Sequence, residues 1–433
     1  VSELRVAIAG LGTVGTSLIR ILEDESGRAT SPMKIVAVSA RQRDRERAVP
    51  TEHYTWWDDP VAMARADGID VFVELMGGED GTAKEAVEAA LSMGRQVVTA
   101  NKAMIAKHGL ALAELAERNG AALRYEAAVA GGVPVIRALR DGLAGARVSR
   151  LKGVLNGTCN FIIGEMEGGQ SYDDALSEAQ KIGYAEADPS FDVGGIDAAQ
   201  KLAILSALAF DTMPPLSDIA PTGIERLSTD DLRAAGDLGY RIKLVAEAVR
   251  DGDRFAFRTG PALVPISEPI SMIEDSGNIV TAEAEPLGAL TMTGPGAGGG
   301  ATACAVAADL VTIARGATGP TFAVPVASIE RAPRTDPDLL SNPFFIRVLV
   351  KDRPGVLAKL TTALADLDVS IDTIQQGPVF DPHSVTRFAD AAELVITTHT
   401  LTQAAAGRLA RSLEELPIVI APASIYPILH EKD

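Results

Sequence analysis

A chain of 433 residues is too long for one ordinary hydrophobic core and implies about two to four domains. Hydrophobic residues at 47% and charged residues at 23% give a globular balance, and 4% aromatics against 40 glycines favour aliphatic α/β layers over an aromatic-rich sandwich. A formal charge of −18 argues against nucleic acid and anionic membrane as partners, and the two cysteines, Cys159 and Cys304, are too few for a disulfide framework and lack metal-ligand spacing.

Residues 4–9 (LRVAIA) form a short apolar run, followed by Gly10-Leu-Gly12-Thr13-Val14-Gly15 and a helical stretch over 16–25. Further strands are expected at 34–39, 71–75 and 96–99, with an alanine-rich helix over 82–93, then a helix over 107–119 and a strand over 122–128. Strands alternating with helices imply right-handed crossovers and a parallel sheet, placed at residues 1–140. From about residue 148 longer strands (149–155, 242–250, 254–258, 278–283, 288–293) mix with helices over 172–182 and 194–210, an α+β pattern assigned to 141–330. The stretch 294–300 is a glycine-dense turn before a helix over 301–315, and 331–343 has linker composition. Residues 344–433 then read β-α-β-β-α-β: strand 345–350, helix 356–367, strands 369–374 and 393–398, helix 402–414 and strand 418–425, a ferredoxin-like order. No long apolar run and no signal-peptide layout occurs, so a cytoplasmic protein is expected.

Several groups of residues could carry chemistry. The glycine turn at Gly10, Gly12 and Gly15, with Thr13 and Val14 opening the helix, sits between strand and helix, where glycines let the backbone approach a pyrophosphate at a helix N-terminus. At the end of the second strand the chain has Arg41 and Arg43 where an acid would hold an unphosphorylated ribose, which favours NADP, with NAD open if these arginines are merely solvated. The cluster Thr99, Asn101 and Lys102 follows the fourth strand, at the edge where ligands of parallel sheets collect; a plain surface lysine is the alternative.

The strongest signal is the segment 183–201, GYAEADPSFDVGGIDAAQK, with four acids before one lysine. Asp197 and Lys201 are one helical turn apart and share a face, and the apolar run that follows would partly withdraw Lys201 from water, as acid/base work on an alcohol requires. An exposed ion pair is the bland reading. Cys159, with no histidine in its own domain, reads as a small packed residue rather than a nucleophile. The segment Glu126–Val133 leaves a sheet edge through glycines, where freed carbonyls could cage a cation or the chain could simply bend.

In order and spacing these motifs resemble the homoserine dehydrogenase family over about residues 4–330: GLGTVG at 10–15, TANK at 99–102, EAAVAGGVP at 126–134, NGTCNFI at 156–162 and the segment 183–201. The resemblance implies NAD(P)H-dependent, reversible reduction of L-aspartate 4-semialdehyde to L-homoserine, on the route to threonine, methionine and isoleucine. It makes Lys201 the acid/base group and Asp197 its orienting partner, with Lys102 near the reacting oxygen. Glu186 would hold the substrate ammonium, joined by Thr158, Tyr184 and Asp192 at the substrate, and Gly183 and Gly298 would touch the cofactor. Glu126, Val129, Gly131 and Val133 align with a site for a monovalent cation, Na or K, and the helix over 301–320 would complete the nucleotide domain. Ala301 stands where the family leads one to expect proline. Residues 344–433 resemble an ACT domain, whose Asp352–Val356 turn would present backbone to an amino-acid effector, threonine first, unless the unit serves only for dimerisation.

The expected fold is thus α/β: a Rossmann-type nucleotide-binding domain, an α+β catalytic and dimerisation domain, and a C-terminal ferredoxin-like (ACT) domain, in a homodimer or homotetramer. Two rivals remain at this point. One is an acylating semialdehyde dehydrogenase with Cys159 as nucleophile; the other is a dinucleotide-sensing regulator without turnover.

Overall fold

The computed structural model describes residues 3–24, 33–317, 319–331, 333–380 and 387–429. The chain divides into two compact units, Val1–Gly157 with Asp197–Ile219 and Ser276–Pro333, and Thr158–Ile196 with Ala220–Asp275 and Arg334–Asp433. Each unit therefore draws on three stretches of chain, a partition different from the sequential domains expected above.

The first unit holds a parallel sheet of β1 (Leu4–Ala9), β2 (Met33–Ser39), β3 (Thr55–Trp57), β4 (Val71–Glu74), β5 (Gln96–Thr99) and β6 (Leu123–Arg124), in the order β3-β2-β1-β4-β5-β6. The order reverses between β1 and β4, and in such sheets ligands bind beyond the carboxyl ends of the strands at that point. Val6 to Ala9 and Val71 to Val73 are fully buried, so these strands read as continuous apolar runs rather than alternating ones. Helices α1 (Thr13–Glu23), α2 (Pro60–Arg65), α3 (Thr82–Ser92) and α4 (Lys102–Arg118) connect the strands. Short helix α5 (Val135–Arg137) leads to β7 (Arg147–Val154), which pairs antiparallel with β10 (Gly277–Glu285), itself paired with β11 (Gly288–Pro295). Late helix α12 (Gly299–Ala314) places Ala303, Val306 and Leu310 in one core with Val6, Ile8, Leu18 and Val73, against α1. Helix α9 (Ile196–Ala209) is buried almost all round from Asp197 to Leu208, and Lys201 is the break in that burial. Short α10 (Leu216–Ile219) completes this unit.

The second unit contains α6 (Gly157–Glu167) from Thr158 on, α7 (Tyr172–Lys181), α8 (Ser190–Val193), α11 (Thr229–Asp237) and the long hairpin of β8 (Tyr240–Asp251) and β9 (Arg254–Pro265), extended by β12 (Arg334–Thr335) parallel to β9. Its C-terminal part is the four-stranded antiparallel sheet β14-β15-β13-β16, made by β13 (Phe344–Lys351), β14 (Ile371–Phe380), β15 (Arg387–Thr398) and β16 (Ser424–Pro427). Helices α13 (Val356–Asp366) and α14 (Gln403–Glu414) bury Leu360, Leu364, Leu409 and Leu413 against Ile346, Val348 and Ile396 on one face of that sheet. Among the described residues no helix is long and apolar enough to cross a membrane.

Several boundaries differ from expectation for local reasons. α4 begins at Lys102 rather than residue 107, because the Asn101 side chain accepts from the Met104 N–H and caps the helix. The strand expected over 122–128 shrinks to Leu123–Arg124, since Glu126–Ala128 folds into a 3-10 turn. The last strand is Ser424–Pro427; of the segment expected there, Val419 makes only an isolated bridge to Val350. Strand β3 and helix α2, capped by Asp59 with Pro60 at its first position, were not foreseen.

Candidate active site

The glycine turn shapes the nucleotide cleft by contact. A Cβ on Gly10 would lie 2.3 Å from the Leu75 carbonyl oxygen and one on Gly15 would lie 2.0 Å from that of Gly10, so strand, turn and helix close only on glycine. A Cβ on Gly12, the N-cap of α1, would meet nothing within 4 Å, leaving the helix N-terminus open to an approaching anion. Gly299, in the first turn of α12, packs so close to Thr13 that a Cβ would come within 2.6 Å of its methyl, and the N-cap of α12 is Gly298. Gly10 and Gly12 line a cleft of about 810 Å³ whose far wall carries Arg41, Arg45 and Arg47. In a chain of net charge −18 a cleft with three guanidiniums and a free helix N-terminus fits a polyanionic dinucleotide. Arg47 donates to the carbonyls of Gln42, Arg43 and Arg45 and stands 5.3 Å over the Trp56 ring, which fixes the arginine loop on β3.

The carboxyl ends of β4 and β5 are joined by Glu74, a fully buried residue that sequence reasoning passed over. Its carboxylate accepts from the N–H groups of Met76 and Gly77 at 2.6 and 3.0 Å and from the Thr99 hydroxyl at 2.6 Å. Thr99 accepts from the Asn101 N–H, and Asn101 donates to the Gly78 carbonyl. The run Thr99-Ala-Asn101-Lys102 is therefore a braced strand-to-helix turn that delivers Lys102 in the first turn of α4.

Lys102 meets the pair read from the sequence. Asp197 is 2% exposed, and its Oδ1 lies 3.0 Å from Lys102 Nζ while Oδ2 lies 2.8 Å from Lys201 Nζ and accepts from Asn156 Nδ2 at 2.8 Å. Burial pushes the Asp197 carboxyl up, but the charges of Lys201 and Lys102 outweigh it and hold the carboxyl down to about 2. Lys201 Nζ also donates to the Leu155 carbonyl at 2.6 Å, and its side chain is 11% exposed. An ammonium has three N–H donors. Two are engaged here, and the third has no partner among the described residues.

The remaining residues expected from the sequence at a substrate belong to the second unit. Thr158 Oγ1 donates to the Tyr184 carbonyl at 2.9 Å, and the Tyr184 ring packs edge-on against Phe161 with centroids 5.3 Å apart. Gly183 follows α7 with φ of 79°, a left-handed conformation, and the Tyr184 N–H returns to the Ala179 carbonyl. Glu186 is exposed, and its carboxylate has no partner among the described residues. Asp192 lies on α8, and its carbonyl accepts from the fully buried Cys159 thiol at 3.2 Å, which matches the reading of that cysteine as a packed residue.

At the proposed cation segment Ala130 and Gly131 are consecutive left-handed residues with φ of 57° and 50°, and a Cβ on Gly131 would strike the Gly296 carbonyl oxygen at 2.5 Å. The Glu126 carboxylate accepts from the N–H groups of Ile136 and Arg137, both at 2.9 Å, while its own N–H donates to Asp309. Burial, followed by the charge of Asp309, raises the Glu126 carboxyl to about 7. Val133 receives the Val135 N–H, and Val129 lies on the turn ahead of Ala130.

Comparison with known proteins gives this geometry a family. The model for the homoserine dehydrogenase family matches residues 134–311, that for the homoserine dehydrogenase NAD-binding domain matches 10–126, and that for the ACT domain matches 344–417. A homoserine dehydrogenase of Neisseria gonorrhoeae is 36% identical over 434 residues, covering 98% of each chain. The chain belongs to the homoserine dehydrogenase family. It is accordingly an oxidoreductase, and residues 10–126 form a domain of the NAD-binding type found in homoserine dehydrogenases. A solved homoserine dehydrogenase from Thiobacillus denitrificans superimposes with a TM-score of 0.89 at 35% identity over 99% of this chain and 98% of that one. A hyperthermophilic archaeal homoserine dehydrogenase solved in complex with NADPH matches with a TM-score of 0.62 at 25% identity, over 74% of this chain and all of that one. The ACT match follows the homoserine dehydrogenase match in the chain.

Proposed function

We propose that Lys201 is the acid/base group for the reversible reduction of L-aspartate 4-semialdehyde to L-homoserine. The observation that carries this reading is the third N–H of Lys201: two of its protons are fixed on the Leu155 carbonyl and on Asp197, which leaves one for a substrate oxygen. In the reducing direction Lys201 gives that proton to the aldehyde oxygen, and in the oxidising direction it takes it back from the alcohol. A bound nicotinamide would supply or accept the hydride. Asp197 and Asn156 orient Lys201, and Lys102 adds a second positive charge beside the oxygen that becomes negative.

Glu186, whose carboxylate has no partner among the described residues, would take the substrate ammonium, with Thr158, Tyr184 and Asp192 as further substrate contacts. Arg41 and Arg45 in the cleft support NADP over NAD as the preferred cofactor, with Thr13, Val14, Thr99, Asn101, Gly183 and Gly298 as further contacts. A monovalent cation, Na or K, would take carbonyl oxygens of Val129, Gly131 and Val133 beside Glu126. The left-handed pair Ala130–Gly131 supports this, and among the described residues no cluster of three His, Cys, Asp or Glu offers another donor set. The ACT domain would bind an amino-acid effector, and the enzyme would act as a homodimer or homotetramer.

The test is loss of NADPH absorbance on adding L-aspartate 4-semialdehyde. Turnover without phosphate that survives Cys159→Ser supports the dehydrogenase and removes the acylating rival; cofactor binding with no turnover would instead leave a dinucleotide sensor.

A further inference from the structure

Glu74 ends β4 where the strand order of the parallel sheet reverses. It is fully buried, opposite Ala9 of β1 on one side and Thr99 of β5 on the other. Its carboxylate faces two ways. Oε1 takes the N–H groups of Met76 and Gly77, in a loop whose residues Leu75 to Gly78 and Asp80 line the nucleotide cleft. Oε2 takes the Thr99 hydroxyl, which in turn accepts the Asn101 N–H at the entry to Lys102. The start of α4 returns to the same loop. Asn101 Nδ2 donates to the Gly78 carbonyl at 2.6 Å, Lys107 Nζ donates to Glu79 Oε1 at 2.7 Å and to Asp80, and His108 Nε2 lies 2.7 Å from Asp80 Oδ1. The cleft loop and the helix that delivers Lys102 are therefore braced to each other at the surface and joined in the core through one carboxylate.

We infer that Glu74 is a positioning residue for the reaction, acting through Thr99 and Asn101 on Lys102. The exposed ion pairs of Lys107 contribute little, whereas a buried and satisfied polar network fixes one geometry. Lys102 opens α4, so its place is that of the turn before it. A slip of that turn breaks the 3.0 Å approach of Lys102 Nζ to Asp197 Oδ1, and misplacing a catalytic group by about 1 Å costs up to about 100-fold in rate. An ionised carboxylate only accepts hydrogen bonds, which suits three donors converging on it, and an amide in its place accepts on one side and donates on the other. In Glu74→Gln the amide oxygen stays with the two backbone N–H groups, because turning it round would set its NH₂ against both. The NH₂ then faces Thr99 Oγ1, whose own hydrogen loses its acceptor. The substitution thus spares the cofactor side of the network and disturbs the lysine side.

This inference rests on the reading of Lys102 as the second positive charge beside the reacting oxygen and adds what fixes it there. The experiment is a double-mutant cycle on kcat, with Glu74→Gln and Lys102→Met made singly and together, and NADPH affinity read by fluorescence titration. The expected result is that Glu74→Gln lowers kcat by about tenfold or more with NADPH affinity within about threefold, and that it lowers kcat by less than about twofold once Lys102→Met is in place. A kcat for Glu74→Gln within twofold of the wild type, or an equal loss in both backgrounds, overturns the role of Glu74 while keeping that of Lys102. An unchanged kcat in Lys102→Met overturns both. Thr99→Val, which removes the same hydroxyl bridge from the β5 side, keeps the test alive should Glu74→Gln fail to fold, with the same pattern expected in the cycle.

Discussion

Lys102 and Lys201 grip opposite oxygens of one buried carboxylate, Lys102 from the first turn of α4 at 3.0 Å from Asp197 Oδ1 and Lys201 from α9 at 2.8 Å from Oδ2. Two ammonium groups against one carboxylate leave the cluster with one net positive charge. Asp197 itself is held ionised, so the surplus faces whatever oxygen Lys201 addresses with its remaining N–H. Charge placed in advance where an alkoxide develops is the kind of stabilisation that costs no reorganisation at the moment of reaction.

The first consequence concerns Lys201→Ala. Turnover should fall by about 10²–10⁴-fold, the range for losing a positioned acid/base group. Lys102 and Asn156 still hold Asp197 in this variant, so folding should survive, and NADPH affinity measured by fluorescence titration should stay within about threefold. A loss of turnover smaller than tenfold would refute the assigned role.

The second concerns acid stability. The folded-state pKa of Asp197 is depressed from 3.8 to about 2, so its ionised form is favoured by folding. Its contribution is therefore present above about pH 4 and is lost as pH falls through 4 towards 2. At 1.36 kcal/mol per unit the full effect is about 2 kcal/mol, of which roughly half is gone by pH 3. Urea melts at pH 5 and pH 3 should show this loss in the wild type and lack it in Asp197→Asn. Equal acid losses in the two proteins would contradict the linkage.

How much of this was legible in the sequence depends on whether a residue acts locally. The glycine turn, the Asp197–Lys201 spacing and the β-α-β-β-α-β order are patterns within one stretch of chain, and the structure reproduces each. The approach of Lys102 to Asp197 across 95 positions, and the donation from Asn156 to that same carboxylate, depend on tertiary folding and leave no periodicity to read. Glu74 was hidden for another reason: an acid ending an apolar strand looks like a solvated strand end, yet it binds three donors in the core. The chain partition was also opaque: β7, β10 and β11, read together with β8 and β9 as one α+β domain, fall in the unit of the parallel sheet, while β8 and β9 fall in the other.

Cofactor preference offers a third test. Arg41 and Arg45 line the cleft, whereas Arg47 spends its donors on the carbonyls of Gln42, Arg43 and Arg45 and stacks on Trp56. Arg41→Asp should remove a charge-assisted contact to a 2′-phosphate, worth about 1.5–3 kcal/mol, and so raise the KM for NADPH by about 10–100-fold with little change for NADH. Arg47→Ala should instead loosen the loop that carries the other two, and its KM for NADPH should be partly restored by Arg47→Lys. Equal effects of Arg41→Asp on the two cofactors would remove the basis for a preference.

The last test addresses how the ACT sheet is tied to its neighbours within the second unit. Arg347 on β13, 9% exposed, reaches Glu393 on β15 and both Asp230 and Asp231 on α11, at 3.0 and 3.2 Å for the two aspartates. Arg233 of the same helix reaches Glu393 at 2.8 Å, so one guanidinium from each element shares a carboxylate whose pKa they hold down against burial. Breaking a buried pair by removing one partner costs about 3–5 kcal/mol because a charge is left uncompensated, though Arg233 and the Ser228 cap on Asp231 lessen that here. Arg347→Met should therefore lower stability in urea by about 2–3 kcal/mol, and adding Glu393→Leu should restore part of it by removing the stranded carboxylate. Uninhibited turnover should change little in either variant, while any response to an amino-acid effector should weaken, since this network is where the sheet holds α11. If Arg347→Met melts like the wild type, the network is not a structural tie, and its buried charges are balanced by other groups.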